Sequence, residues 1–432
     1  MMEQLYDAYL QHRSVTTDSR NCPVGSIYFA LRGDRFDGND FALSALKSGC
    51  ALAVVDDIRI KDEPGCLFVP DSLKALQNLA MMHRQKSGVL IIGVTGTNGK
   101  TTTKELLAAV LSKKYKTWFT QGNFNNHIGV PLTLLSMPVD TEVAVVEMGA
   151  NHPHEIDFLC RIARPDMGLI TNVGKAHLQG FGSFEGVMKT KAELYEFLKR
   201  NSGIVFLNAD NDYLKTMLGD ITTEVVRYGT AGKCFVKGSN ALASPFLSFN
   251  WEASGVKKQH VSMLLSGSYN FENALAAIAV GLYFKVSADE INSALCHYRP
   301  VNHRSQILTT DSNTVILDAY NANPTSMAAA LDGFEKMSHN RKVLIIGGMR
   351  ELGQESESEH RLLVNRLLTM EFEKCWLVGE EFSGLVPSDA RFLFAANGDE
   401  LCDGLKIKTF NNSLVLVKGS RAHKLERVTA YL

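Results

Sequence analysis

One stretch, residues 89–112, constrains the fold of this chain more than any other. Residues 89–94 read VLIIGV, a continuous apolar run of the kind that fills strands buried on both faces. The run leads directly into Gly96-Thr97-Asn98-Gly99-Lys100-Thr101, and a helix-forming segment follows from Thr101 to about Ser112. Strand, glycine turn and helix together form the context in which backbone N–H groups point at phosphate oxygens, with the positive end of a helix dipole behind them. Lys100 is then placed to reach outer phosphates and the Thr101 hydroxyl to meet magnesium, with Thr102 next along the helix. A ligand-free turn is the alternative reading, and the G-K-T-T run after a buried strand argues against it.

The rest of the chain fits an α/β protein of several domains. A length of 432 residues exceeds one hydrophobic core, so two to three domains are expected. Residues 26–31 and 51–55 read as buried strands around a polar loop at 33–38. A helix begins at Ser72, with that serine as its cap, and breaks at 84–88. Further buried strands at 143–148 and 167–171 alternate with helices, which implies a parallel sheet with ligand sites at the carboxyl ends of its strands. Residues 230–258 are less regular and read as a β insertion, and an alanine-rich helix covers 271–284. After a proline-containing linker at 299–304, strands at 314–317, 343–347, 375–379, 391–395 and 413–417 form a second α/β series. The expected architecture is a small α/β domain at 1–86, a central P-loop parallel-sheet domain at 87–301, and a Rossmann-like α/β domain at 302–432.

Composition narrows the partners. Lysine plus arginine (45) balance aspartate plus glutamate (46), so no basic field exists to hold a polynucleotide, and no nucleic-acid partner is expected. The eight cysteines include no C-x-x-C pair, which removes the usual zinc spacing and leaves free thiols in a reducing compartment. The N-terminus carries acids and no long apolar run, and no stretch approaches the roughly 20 apolar residues that span a bilayer. A cytoplasmic protein with no membrane insertion is expected, acting as a monomer.

A phosphate loop names a nucleotide and not a reaction; kinases, switches, motors and ligases share it. Other blocks are more specific. TGTNGKTT, GNFNNHIGVPLTLL (122–135), EMGANHPHEI (147–156), TNVGKAHLQGFGSFEGVMKTKAELY (171–195), SYNFENALAA (268–277), DAYNANPTSM (318–327), GGMRELGQESESEH (347–360) and VKGSR (417–421) together resemble the Mur ligase family. Within it, AHLQGFGS, DAYNANP and MRELG are similar to the branch that adds D-alanyl-D-alanine to UDP-N-acetylmuramoyl-tripeptide, and TTDSR (16–20) with ALRGDRFDGNDF (30–41) is similar to that branch's UDP-substrate domain. The resemblance implies an ATP-dependent ligase working through an acyl phosphate, with ATP, two magnesium ions and a carbamylated lysine. A relative adding one amino acid, or glutamate to folate, is the neighbouring possibility, and a P-loop switch the distant one. The GFGS and MRELG blocks argue against the former.

The same resemblance assigns residues. Glu147, at the end of a buried strand, and His177, after the next, are implied magnesium ligands beside Thr101. Lys191 is implied as the carbamylated ligand, although its neighbours Lys189, Glu193 and Lys199 read as a solvated helix face. Asn273, Arg304, Asp318 and Tyr320 are implied nucleotide contacts, and Asn270 a structural cap. Ser19 and Arg20 resemble uridine diphosphate contacts. Two roles stay open for Asn123, Asn125 and Asn126 (substrate recognition or turn formation) and for Asn321 and Asn323 (dipeptide binding or turn formation). His360 and Lys418 stand in family blocks without a role.

Overall fold

The computed structural model describes residues 1–407 and 410–432, arranged around three main sheets. In the first unit, β1 (Val15–Thr16), β2 (Ile27–Phe29), a hairpin of β3 (Arg32–Gly33) and β4 (Phe36–Asp37), β5 (Leu52–Val55) and β6 (Cys66–Phe68) follow in chain order. The sheet runs β1-β2-β5-β6, all parallel, and the hairpin stands apart. The helix Ser72–Ser87 is capped by Asp71 and not by Ser72: extended backbone at Asp71 brings its carboxylate over the first turn, where it accepts from Lys74 N. Gly88, at φ 67, ends the helix.

One small apolar cluster, with Tyr28, Ala42, Ala53 and Val55, lies wholly within this unit, and a larger one is shared with the next. Leu5, Tyr9, Leu76 and Leu79 belong to one apolar cluster with Val130, Leu134, Val146 and Leu159 of the next unit. Tyr9 donates its hydroxyl to Leu135 O at 2.8 Å, and buried Arg84 donates to Ala163 O and to Asp166, each at 2.8 Å. The first two units are welded by shared apolar burial.

The central sheet contains β7 (Leu90–Thr95), β8 (Thr117–Phe119), β9 (Val143–Glu147), β10 (Met167–Ile170), β11 (Ile204–Asn208), β12 (Glu224–Gly229), β13 (Val236–Ala243), β14 (Leu247–Ala253) and β15 (Val256–Ser262), in the order β15-β14-β13-β12-β11-β10-β7-β9-β8. Strands β8 through β13 pair in parallel, and β14 and β15 extend the sheet antiparallel. Residues β7, β9 and β10 are buried almost throughout, whereas β13 to β15 mix buried and exposed positions, so the segment expected to be irregular is an edge meander with one open face. Helices Lys100–Leu111 and Asn270–Tyr283 cover one face, and Glu155–Ala163 and Phe184–Arg200 the other.

The last unit comprises β16 (Gln306–Thr309), β17 (Asn313–Asp318), β18 (Lys342–Gly347), β19 (Lys374–Val378), β20 (Phe392–Ala395) and β21 (Ser413–Lys418), ordered β16-β17-β21-β18-β19-β20. Among the described residues only β16 is antiparallel; this short edge strand has too little apolar pattern to be visible in the sequence. The two apolar clusters of this unit draw only on residues from Ile307 onward. All eight cysteines are free. Among the described residues no helix is long and apolar enough to cross a membrane.

Candidate active site

The carboxyl ends of β7, β9 and β10 open on a cavity of about 790 Å³ that the last unit closes from the other side. The turn after β7 needs its glycines. Gly96 sits at φ 143, and a Cβ there would collide with Thr171 Oγ1; Gly99 sits at φ 78, and a Cβ would lie 2.7 Å from Asn273 Oδ1. The loop is fastened to the end of β10: Asn98 N donates to Asn172 Oδ1 at 3.0 Å, and Thr171 Oγ1 donates to Asn98 O at 2.5 Å. Gly99 occupies the cap position of helix Lys100–Leu111 and has no side chain to satisfy its first turn. The N–H groups of that turn are therefore free for an anion, with the dipole aligned behind them.

Cations and one carboxylate surround this helix end. Lys100 Nζ donates to the Gly96 and Thr97 carbonyls at 2.7 and 2.8 Å. Burial lowers its pKa to about 8, Glu147 opposes the shift, and Arg304 adds to it. Glu147 ends β9 only 2 % exposed. Its Oε1 accepts from Asn125 Nδ2 at 2.8 Å, whereas its buried Oε2 has no hydrogen-bond partner. Lys104 Nζ is 3.9 Å from that oxygen, 1 % exposed, and donates to Thr120 O at 2.8 Å. A buried carboxylate oxygen without a donor is costly unless something else binds it. Glu147 and the Thr101 hydroxyl line the same cavity and are oxygen donors of the kind that would hold a magnesium ion. Among the described residues no three His, Cys, Asp or Glu side chains group as a metal cage, so protein ligands alone would not complete the coordination.

From the last unit, Arg304 stacks its guanidinium 3.9 Å from the Tyr320 ring centre. Asp318 accepts from buried Lys418 at 2.6 Å, and both line the cavity. Asn323 caps helix Pro324–Glu335 by accepting from Ser326 N, and its Nδ2 donates to Asn98 Oδ1 at 2.8 Å.

Profiles of known families cover most of the chain. The Mur ligase middle domain matches residues 94–281, the Mur ligase glutamate ligase domain 303–421, and the Mur ligase family catalytic domain 12–85. The UDP-N-acetylmuramoyl-tripeptide--D-alanyl-D-alanine ligase of Bacillus subtilis is 34% identical over 96% of this chain and 92% of its own length. The Escherichia coli ligase of the same name is 34% identical over 99% and 95%. The chain belongs to the Mur ligase family. Among solved Mur ligases, MurF of Acinetobacter baumannii superposes with a TM-score of 0.88 at 29% identity, covering 100% of this chain and 98% of that one. MurF of Thermotoga maritima, solved in complex with ADP, gives 0.86 at 26% identity, covering 98% and 97%.

Most residues singled out in the sequence meet in this Mur ligase cavity. Thr97 to Thr102, Asn123, Asn125, Asn126, Glu147, His177, Asn273, Arg304, Asp318, Tyr320, Asn321 and Asn323 all line it. Asn126 spends its Oδ1 on Ile128 N and Gly129 N, a turn role, and Asn321 accepts from the next residue's N–H. Asn273 accepts from Thr103 Oγ1 and donates to Asn270, which in turn donates to Ser266 O; Asn270 is the first helical residue, with Tyr269 at the cap position. Ser19 and Arg20 lie outside the cavity in the first unit, with Arg20 exposed and paired to Asp18.

Lys191 departs from its sequence reading. Its helix buries Thr190, Lys191, Leu194, Tyr195 and Leu198 together, so the charged neighbours mark a different face. Lys191 is 3 % exposed, with Nζ 5.5 Å from the Phe181 ring centre, and burial followed by the charge of Lys100 lowers its pKa to about 7. The ring of His177 turns Nδ1 to the Glu351 carboxylate of the last unit. His360 gains a structural role, fully buried, accepting from Met349 N at 2.9 Å and bonded through Nδ1 to Ser356 O. Sequence reasoning overlooked Lys104, although one helical turn beyond Lys100 is where a second inward cation falls.

Proposed function

We infer that this chain is an ATP-dependent ligase joining D-alanyl-D-alanine to UDP-N-acetylmuramoyl-tripeptide, a step of peptidoglycan precursor synthesis. The observation that carries the reading is a phosphate loop with an uncapped helix end, lining one cavity with a buried Glu147 that has one oxygen without a hydrogen bond, within a chain that aligns end to end with ligases of that name. The tripeptide's terminal carboxylate attacks the γ-phosphorus of ATP and ADP departs. The dipeptide amine attacks the resulting acyl phosphate; phosphate leaves with the carboxylate oxygen, and the amide keeps the other. The first step brings two anions together in water-poor surroundings, so cation placement governs its rate.

Lys100, the first turn of its helix and Arg304 hold the phosphates, and Asn273, Asp318 and Tyr320 position the nucleotide. Magnesium at Thr101 and Glu147, with a second ion at His177 and carbamylated Lys191, would offset the remaining charge. The carbamate needs a neutral amine to take up carbon dioxide, and the burial of Lys191 with its lowered pKa supports that state near neutral pH. We assign the UDP moiety to the domain 1–86 through Ser19 and Arg20, catalysis to 87–301, and closure to 302–432. Asn123, Asn125 and Asn126 face the peptidyl substrate, and Asn321 and Asn323 the dipeptide. We assign a monomer as the working form. Use of ATP and eight free thiols support a cytoplasmic setting.

Incubation with the three substrates, followed by mass spectrometry of the UDP product and assay of ADP, tests the reading. Product heavier by one condensed dipeptide, with sustained ADP turnover beyond one equivalent per enzyme only when all three are present, is the expected result. ADP formation indifferent to the dipeptide would defeat it.

A further inference from the structure

Among the described residues the last unit shares no apolar cluster with the central one, and polar contacts join them across the cavity. Several of these fall on residues 172–179, the segment after β10. Lys175 donates to Glu359 at 2.8 Å and lies 3.8 Å from Glu355, and His177 faces Glu351. The backbone of Gly174 approaches Thr325 so closely that a Cβ would lie 2.6 Å from its Oγ1. On its other side the same segment grips the phosphate loop: Thr97 Oγ1 accepts from Gly174 N at 3.0 Å, and Asn172 holds Asn98. Lys175 is half exposed, but the Glu359 side chain is only 10% exposed and sits beside His360, which braces the turn carrying Glu351. A carboxylate in that position needs a cation, and the central unit supplies it only when the two units are closed.

We propose that Lys175 is a positioning residue, whose ion pair with Glu359 latches the last unit over the nucleotide and ties its closure to the phosphate loop through residues 172–174. The proposal rests on the ligase reading. Because the first two units share a core, the latch governs the two substrates that the last unit helps to hold, the nucleotide and the dipeptide. Separating the charges opens the molecule and weakens use of the dipeptide, while the site for the UDP substrate stays intact.

The test uses the full chain as wild type, Lys175→Glu, Glu359→Lys and the exchanged pair, with circular dichroism to establish folding. Small-angle scattering reads closure, and steady-state kinetics read KM separately for dipeptide and UDP-tripeptide. Each single variant is expected to show a larger radius of gyration and a KM for dipeptide raised about tenfold, with the KM for UDP-tripeptide unmoved and both changes reversed in the exchanged pair. Folded single variants with wild-type scattering and kinetics overturn the proposal, as does a defect that the exchanged pair fails to restore. If Lys175→Glu does not fold, Lys175→Met carries the same comparison. Scattering is independent of turnover, so a wild type that makes no product indicts the ligase reading and leaves the latch to be judged on its own.

Discussion

Asn125 donates to one carboxylate oxygen of Glu147 at 2.8 Å and leaves the other buried without a hydrogen-bond partner. The pair fixes the acid at the end of β9, where it lines the cavity. A group kept in this state costs stability and is expected to return it as function.

Replacing that acid separates the two. Glu147→Gln keeps the shape and the Asn125 contact and removes a buried charge. Turnover is expected to fall by at least about a hundredfold, while the melting temperature drops only modestly, because Lys104 keeps Thr120 O and Glu105 beside it. Steady-state assay beside thermal denaturation checks both, and full turnover would remove Glu147 from the site.

Lys191→Ala is expected to be inactive, with partial recovery on adding a small carboxylate such as acetate. Unrescued activity near wild type would reject the carbamate. Isotope-edited carbon spectroscopy of protein kept under labelled carbon dioxide reads the modification directly.

His83 lies 6 % exposed between Tyr6 and Tyr9, and burial, then Arg13, lowers its pKa from 6.5 to about 4. The folded state prefers the neutral ring, so its contribution is complete above pH 6.5 and lost as pH falls toward 4. The loss amounts to about 3 kcal/mol. Denaturant titrations between pH 7 and 4 should show it, and His83→Phe should flatten the profile over that window. An unchanged slope in the variant would contradict a buried neutral ring.

Lys418 and Asp318 form a pair 2.6 Å apart, with Lys418 1 % exposed. Lys418→Met strands the carboxylate and is expected to destabilise the last unit by about 3 kcal/mol, and Lys418→Met with Asp318→Asn to recover part of that. Calorimetry of both variants measures it. Additive losses would show that the two side chains do not interact.

What the sequence disclosed and what it hid follow from the range of the interactions. The phosphate loop, Glu147 and the buried strands are legible because run, turn and helix start are local, and β7 is apolar on both faces. The burial of Lys191 was not legible, since its charged neighbours suggest a solvated face but occupy another side of the helix. Asp71 displaced Ser72 as a cap through a backbone angle that composition does not encode. Lys175 with Glu359, and His177 with Glu351, are tertiary pairs about 180 residues apart, and no spacing rule reaches that far.

Oxygen transfer tests the chemistry most directly. UDP-tripeptide carrying oxygen-18 in both oxygens of its terminal carboxylate is turned over with ATP and D-alanyl-D-alanine, and the released phosphate is weighed. A single labelled oxygen in each phosphate is the predicted result; unlabelled phosphate, or label appearing in AMP, contradicts an acyl phosphate formed at the Gly96–Thr101 loop.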